Sequence, residues 1–298
     1  MSDAVLVTGA SGFIGRAVLA ALDGGPYEVH AVQRGPLPPG LPAAAAHRAD
    51  LLDAAAAERI VQDVRPTRLL HLAWYARPGS FWTAPENRAW VEATLGLLRA
   101  FADAGGRRAV VAGTCAEYAA WPGPCAEATT PLEPATPYGA AKHECHERAA
   151  AHARAAGYGL AWARLFHPYG PHEPPERLVP AVVRSLLAGR PVDLSHGRQR
   201  RDFVYVADAA SALVRLLGAR LEGPVNVGTG RATSVRELVE LVARRLGREG
   251  LARFGARPDD GAPPLVVADT RRASRELGWE PAVPLEEGVE RSVSWWSR

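Results

Sequence analysis

Short apolar runs alternate with longer stretches of helical periodicity along the first half of the chain. Residues 4–8 form an apolar, β-branched run, and residues 13–22 then repeat apolar side chains at the spacing of a helix. Alternating strands and helices are typical of a parallel sheet that helices cover on both faces, so the pattern predicts a doubly wound α/β fold. The further predicted elements are strands at 28–33, 68–73, 109–112, 159–164 and 225–227 and helices at 54–64, 85–104 and 138–156.

This alternation loosens after residue 170, where prolines crowd together. We therefore place a domain change there. Residues 1–170 are predicted to form the sheet domain, and residues 171–298 mainly a smaller C-terminal domain. A segment near 200–230, which includes the predicted strand at 225–227, is expected to return to the sheet.

The composition excludes several classes of protein. Hydrophobic residues make up 47% of the 298 residues and charged residues 22%, which suffices for a sizeable core. The apolar stretches fall far short of the roughly 18–20 residues that span a bilayer, and no basic region precedes the first apolar run. The net charge of +3 comes without a run of basic residues, which argues against nucleic-acid binding. Three cysteines without CxxC spacing fit neither a disulfide framework nor a zinc site, so we expect a cytoplasmic protein without a metal.

A glycine-rich turn joins the first predicted strand to the first predicted helix. Its glycines have the spacing in which one serves the tight turn, one the close approach of a pyrophosphate, and one the packing of helix against strand. The N-terminus of the helix would bind the phosphates. The turn therefore predicts a Rossmann-type dinucleotide site formed by Gly9, Ser11, Gly12, Phe13, Ile14 and Gly15.

The end of the second predicted strand bears on the choice of cofactor. A carboxylate there normally binds the adenosine ribose of NAD, but this chain has Gln33-Arg34 instead. The guanidinium of Arg34 could pair with a 2′-phosphate, so the sequence predicts NADPH, with NADH or NAD as the alternative. Asp50 and Leu51 lie where the third strand should end, from which a carboxylate could reach the adenine amino group.

Tyr138 and Lys142 are the candidate proton-transfer pair. Lys142 is the single lysine of the chain, against 34 arginines, and it stands one helical turn after Tyr138 on the same face. A nearby ammonium favours the phenolate, so we expect Lys142 to lower the pKa of Tyr138. Thr114 follows an apolar strand, so its hydroxyl is expected at the carboxyl edge of the sheet, where it could donate to a substrate carbonyl oxygen.

In combination, these features resemble a known family over essentially the whole chain. The glycine turn, Thr114, the Tyr138/Lys142 pair and Arg201-Asp-Phe203 are similar to the extended short-chain dehydrogenase/reductases, the NAD(P)-dependent epimerases, dehydratases and reductases of nucleotide sugars. The resemblance implies a catalytic triad of Thr114, Tyr138 and Lys142, with Lys142 also contacting the nicotinamide ribose. It further implies a homodimer and a C-terminal nucleotide-sugar domain. Leu72 and Ala73 after the fourth strand would line the cofactor site, and Arg201 and Arg257 would bind the diphosphate.

The residues that follow Thr114 distinguish members of this family. Dehydratases carry an Asp-Glu pair there, whereas this chain has Cys115 and Ala116, with Glu117 displaced by one, so a 4,6-dehydratase is disfavoured. Cys115 and His172 match incompletely the Cys/His pair of 3,5-epimerase/4-reductases. His167 stands where many members have a substrate-binding Asn. The candidate substrate-binding residues are Cys115, Glu117, His167, His172, Arg201 and Arg257.

A net reduction fits the predicted NADPH. The sequence therefore favours a reductase of the C4 keto group of a nucleotide-linked 4-keto-6-deoxyhexose, in deoxysugar biosynthesis. The alternative is a nucleotide-sugar 4-epimerase. A non-catalytic NADP-sensing protein is disfavoured because the Tyr138/Lys142 pair and Thr114 are all present.

Overall fold

A computed structural model describes residues 3–259 and 261–298. The strands are β1 Asp3–Thr8, β2 Tyr27–Gln33, β3 Ala45–Arg48, β4 Arg68–His71, β5 Arg108–Thr114, β6 Gly159–Leu165, β7 His167–Tyr169, β8 Val192–Leu194, β9 Arg200–Arg201, β10 Phe203–Tyr205, β11 Gly223–Val227, β12 Thr233–Ser234, β13 Ala252–Phe254 and β14 Leu265–Val266. The helices are α1 Phe13–Leu22, α2 Ala54–Val64, α3 Glu86–Asp103, α4 Pro137–Ala156, α5 Leu178–Leu187, α6 Val206–Gly218, α7 Val235–Leu246, α8 Arg271–Arg275 and α9 Leu285–Trp296, with 3₁₀ turns at Cys115–Glu117 and Glu249–Leu251.

Seven strands form one parallel sheet in the order β11-β6-β5-β4-β1-β2-β3. The chain builds outward from β1 in one direction and from β4 in the other, so the strand order reverses between these two neighbours. In open α/β sheets, ligands bind outside the carboxyl ends of the strands at such a reversal. The predicted doubly wound fold is confirmed, and its topology places the glycine turn at the ligand-binding edge.

Each central strand is buried on both faces, which explains its continuous apolar sequence. Val5 and Val7 point into the core beneath α1 and α6, whereas Leu6 points into the core beneath α2, α3 and α4. The outlying edge strand β3 ends at Arg48, two residues before the position at which the sequence predicts the end of the third strand. Its bounds were not predicted, because its four residues are half-buried or exposed and show no apolar pattern. Strand β5 runs two residues further than predicted, so Thr114 is its last residue.

The sheet also includes chain from beyond residue 170. Strand β11 pairs with β6, and α6 packs against α1. Helices α5, α7 and α9 enclose a separate apolar cluster with Tyr169 and Phe203, whereas α8 contributes Ala273 to the core beneath α1 and α6. Buried Asp202 ties this part to the sheet, because its carboxylate accepts from the amides of Thr229 (2.7 Å), Gly230 (2.9 Å) and Ala268 (3.1 Å).

None of the helices within residues 3–259 and 261–298 combines the length and the apolar character that crossing a membrane requires.

The packing of the glycine turn predicts the effect of adding one methyl group. A Cβ on Gly15 would lie 2.2 Å from the carbonyl oxygen of Gly9 and 2.7 Å from that of Ala10. We expect Gly15→Ala to lower the free energy of unfolding by about 1–3 kcal/mol, since backbone must move, despite the gain in helix propensity. Urea denaturation followed by circular dichroism measures this.

Gly250 provides the matched control, because a Cβ there has no described atom within 4 Å. Gly250→Ala should change the free energy of unfolding by no more than about 0.5 kcal/mol. Equal stability of both variants would contradict the tight packing of the turn.

Candidate functional site

The glycine turn has the shape of a pyrophosphate cradle. Gly9 adopts a φ of +69°, its amide donates to Val32 O (3.1 Å), and Gly12 N donates to Gly9 O (3.0 Å). A Cβ on Gly9 would lie 2.8 Å from the amide nitrogen of Ala73, so only glycine lets the two loops approach. Gly12 is the N-cap of α1 and brings no side chain over the helix terminus. The residues present therefore fit a dinucleotide phosphate at this terminus.

Thr8 holds the neighbouring loop in place. Its hydroxyl accepts from the amides of Leu72 (3.2 Å) and Ala73 (3.3 Å) and bonds to Nδ1 of His71 (2.7 Å). Burial, together with the charge of Lys142, lowers the pKa of His71 to about 3, so this imidazole is neutral. The structure thus brings Leu72 and Ala73 beside the glycine turn.

The residues predicted to bind the adenosine part of the cofactor lie at the carboxyl ends of β2 and β3. Arg34 is exposed, and its backbone carbonyl accepts from Nε of Arg48 (3.0 Å). Asp50 is exposed and accepts from the amide of Leu52 (3.1 Å), whereas Leu51 is buried. Their contacts to a cofactor stay predictions.

Thr114 and Tyr138 meet at the end of β5. Tyr138 lies in the first turn of α4, which Thr136 caps by accepting from Gly139 N (3.1 Å), and the amide of Tyr138 donates to Trp82 O (3.0 Å). The Tyr138 hydroxyl lies near the Thr114 side chain, which acts to lower the pKa of the phenol. A Cβ on Gly139 would lie 2.2 Å from Ala116 O, so the glycine allows α4 to approach the turn after Thr114.

The pKa values of Tyr138 and Lys142 follow from their burial. Burial raises the pKa of Tyr138 above its usual range, and the groups that oppose the rise are Thr114 and Arg177. Lys142 instead donates to Ala112 O (2.8 Å), and burial lowers its pKa to about 8. Lys142 is not among the groups that act most strongly on Tyr138 in this arrangement, and its effect on the pKa of Tyr138 stays a prediction.

Glu117 occupies a different place from the substrate contact that the sequence predicts. Its side chain has 0% exposure and accepts from Thr114 N (2.8 Å), Trp162 Nε1 (2.9 Å) and Arg164 Nε (2.8 Å). A carboxylate with both oxygens bonded and no surface is not open to substrate. This correction makes Glu117 the anchor of Thr114.

The guanidinium of Arg164 extends this network. Its Nη1 donates to the hydroxyl of Tyr118 (3.0 Å), which donates to Oδ1 of Asn226 (2.7 Å). The amide of Asn226 donates in turn to Cys125 O (2.7 Å). The ends of β5, β6 and β11 are therefore joined at the carboxyl edge of the sheet.

The remaining substrate candidates have mixed surroundings. Cys115 packs against an apolar cluster of Tyr118, Cys125, Phe166 and Ala268. Burial raises the pKa of its thiol, which disfavours a proton-moving role. His167 is half-buried, and burial lowers its pKa to about 3. His172 is exposed, with a φ of +66° and its ring 4.8 Å from that of Trp295.

The two predicted diphosphate-binding arginines differ in exposure. Arg201 is buried, and its guanidinium donates to the carbonyls of Arg200 and Pro263 (both 2.8 Å). Arg257 is exposed, and its amide donates to Leu194 O (3.1 Å). Diphosphate contacts by either residue stay predictions.

The sequence analysis did not predict the aromatic side chains that surround Tyr138 and Lys142. The ring of Tyr138 meets those of Phe81 (4.9 Å) and Trp82 (5.7 Å) edge to face, and Trp74 lies against Lys142. The density of aromatic residues between positions 74 and 82 was the available signal.

One further cluster could hold a metal on geometry alone. Glu117, His143 and His146 bring one ligand atom each within 4.8 Å of one another. Since the Glu117 carboxylate is already bonded to Arg164, adding a second cation there is unfavourable.

The buried ion pair predicts a large effect of neutralising Glu117. In Glu117→Gln, Arg164 would keep a buried charge without its counter-ion. We expect the free energy of unfolding to fall by about 3–5 kcal/mol in urea denaturation.

The exposed pair of Glu290 and Arg245 (2.6 Å) is the control. Glu290→Gln should cost no more than about 1 kcal/mol, because solvent screens that pair. A similar small loss in both variants would contradict the anchoring role of Glu117.

Comparison with known proteins places this site in context. The chain matches the NAD dependent epimerase/dehydratase family over residues 5–228. It is 31% identical to a UDP-glucose 4-epimerase of Azospirillum brasilense over 333 residues, which is 100% of this chain and 92% of the relative. Other curated relatives match a shorter part, so that the chain spans 54%, 40% and 41% of their lengths, about half.

Solved structures extend the likeness to the whole fold. A UDP-glucose 4-epimerase of Thermotoga maritima, solved with UDP-glucose, is 28% identical with a TM-score of 0.90, covering 99% of this chain and 98% of that one. MoeE5, solved with UDP-glucose and NAD, is 33% identical with a TM-score of 0.86, covering 99% and 98%. The predicted resemblance is thereby confirmed at the level of the family.

Proposed function

The chain belongs to the NAD dependent epimerase/dehydratase family, and from this premise we propose that it is a 4-epimerase of a UDP-linked hexose with NAD as its cofactor. The observation that carries the proposal is the proximity of Thr114 and Tyr138 at the carboxyl edge of the sheet, beside a glycine cradle. Relatives of similar length and fold that are named UDP-glucose 4-epimerases support it.

Different residues would bind the cofactor and transfer the proton in such a reaction. Glycines 9, 12 and 15 would hold the cofactor pyrophosphate. Leu72 and Ala73 would form the adjoining wall of the cofactor site. When bound, NAD supplies reversible hydride acceptance. Tyr138 would take the proton of the C4 hydroxyl as the phenolate, a form that the positive charges of Lys142 and of bound NAD would favour over the phenol. Thr114 would hold that oxygen, and Tyr138 would return the proton after the sugar has presented its other face. The C4–H bond that breaks forms again on the opposite face, so the conversion is an isomerisation without net oxidation.

The surroundings of Glu117 argue against a dehydratase. Elimination of water needs a general acid and base near C5 and C6, and Glu117 is the carboxylate next to the Thr114 position that could serve. Its oxygens are held by Arg164, Trp162 and the Thr114 amide. An epimerase needs no such residue.

The reductase interpretation depended on NADPH, and NAD is the dinucleotide in the related MoeE5 structure. An epimerase restores its cofactor in each turnover, so a retained NAD suffices. Arg34 remains the residue to examine if the protein carries NADP(H) instead.

Homodimer formation remains a prediction. Helices α3 and α4 pack side by side and are joined by Arg148 and Glu92 (2.6 Å), and we propose that their outer faces form the dimer contact.

Replacing the catalytic phenol tests the proposal. With UDP-glucose as substrate, we expect conversion to UDP-galactose, resolved by anion-exchange chromatography. Tyr138→Phe should lower kcat by about 10²–10⁴-fold, because proton transfer is lost while the ring packing stays. The affinity for NAD, measured by calorimetry, should stay within a few-fold.

Unchanged turnover in Tyr138→Phe would remove this residue from the reaction. Tyr27→Phe is the matched control, because it removes a phenol at the start of β2, at the edge of the sheet opposite the Thr114/Tyr138 pair, and it should retain activity.

The bound cofactor separates the two activities. Heat release and chromatography of the nucleotide from purified protein should yield NAD or NADH. Oxidation of NADPH upon addition of a UDP-linked 4-keto-6-deoxyhexose, with no epimerisation of UDP-glucose, would instead support the reductase.

A further inference from the structure

Lys142 is enclosed in a way that its catalytic role alone does not explain. Its side chain is 3% exposed, its Nζ donates to Ala112 O (2.8 Å), and the same nitrogen lies 3.7 Å from the ring centre of Trp74. An ammonium has three donors. The carbonyl of Ala112 takes one, and the indole face occupies a second direction, so a single N–H is left for another partner.

Trp74 is itself fixed. Its Nε1 donates to Oδ1 of Asn87 (2.9 Å), and the Asn87 amide donates to Phe81 O (2.7 Å). Asn87 is buried, and the ring of Trp90 supports Trp74 at 6.2 Å. The indole is therefore a rigid wall for the ammonium.

The described groups around Lys142 offer its ammonium no free negative charge, so an aromatic face can stabilise the cation instead. The titratable groups whose charges act on the ammonium include Glu117 from the turn after β5, Cys145 from α4 and His71 from β4, and Tyr138 lies one turn away on the same face of α4. His71 is neutral, burial keeps the Cys145 thiol protonated, and the Glu117 carboxylate is bonded to Arg164. The negative face of an indole attracts a cation without adding a charge.

We propose that Trp74 is a positioning residue for Lys142: its indole face holds the ammonium by a cation–π contact and, with Ala112 O, directs the remaining N–H towards the cofactor. That the remaining N–H meets a cofactor ribose rests on the proposed function. The contact between Trp74 and Lys142 does not.

The composition offers a direct test, because Lys142 is the single lysine of the chain. Protein labelled with ¹³C-lysine should give one side-chain Hε/Cε signal set in an NMR spectrum, without any need for assignment. The wild-type Hε protons should lie upfield of a free lysine, since they are above an indole ring. Titration of Cε should give a pKa near the value of about 8 that burial imposes.

Two variants remove the contact in steps. In Trp74→Leu the upfield displacement should vanish, and the pKa of Lys142 should fall by a further half to one and a half units, about the strength of a cation–π contact. Trp74→Phe, which keeps an aromatic face, should give an intermediate pKa. Circular dichroism checks that both variants fold.

Trp296→Leu is the matched control. It removes an indole that lies under Arg184 (5.6 Å) in the C-terminal part, and it should leave the Lys142 signals unchanged.

Three outcomes would overturn the proposal. They are a wild-type Hε signal without upfield displacement, an unchanged pKa in Trp74→Leu, and a rise of that pKa, which would mean that the indole only excludes water. None of these measurements depends on turnover, so they are independent of the epimerase assay.

An activity profile gives a second readout. If the ammonium form of Lys142 is required, the alkaline limb of kcat/KM in Trp74→Leu should move to lower pH by the same amount as the NMR pKa. An equal loss at every pH would indicate a packing role and would overturn the proposal.

Discussion

The buried ion pair between Glu117 and Arg164 is the constraint on which the site depends. Removing two charges from water costs several kcal/mol each, so such a pair contributes little to stability unless other groups complete its hydrogen bonds. Here those groups are Trp162, Tyr118 and the amide of Thr114. Because the same carboxylate oxygen accepts from Thr114 and Trp162, the carboxyl end of β5 cannot move independently of β6. The ion pair thus fixes where the Thr114 hydroxyl is presented.

This arrangement also narrows the chemistry. A carboxylate close to the reacting sugar would allow general acid–base elimination, but in this chain the nearby carboxylate is consumed in holding the sheet edge together. What remains beside Thr114 is one phenol and an aromatic wall. Such a site can move one proton to and from an oxygen. An epimerisation at C4 requires no more than this, whereas an elimination of water also requires a second acid–base group.

A second framework positions the other half of the pair. Asn87, at the start of α3, bonds to the indole of Trp74 and to the carbonyl of Phe81. Trp74 lies against Lys142, and the residue after Phe81 accepts from the amide of Tyr138. One buried amide therefore orders the loop that touches both ends of the Tyr138/Lys142 motif, so the loop between β4 and α3 belongs to the site as much as α4 does.

The sequence by itself determined the elements whose physics is local. The apolar runs, the helical spacing and the glycines at 9, 12 and 15 specify strands, helices and a tight glycine turn, because each depends on neighbours a few positions away. The Tyr138/Lys142 spacing likewise places both side chains on one face of α4. The tertiary structure decided which partners these groups have. Glu117 and Arg164 lie 47 positions apart, and no local pattern distinguishes a buried, paired carboxylate from a substrate ligand. The same holds for Lys142, whose ammonium meets Ala112 and Trp74 from other elements, so its pKa and its direction follow from burial and packing that only the folded sheet creates.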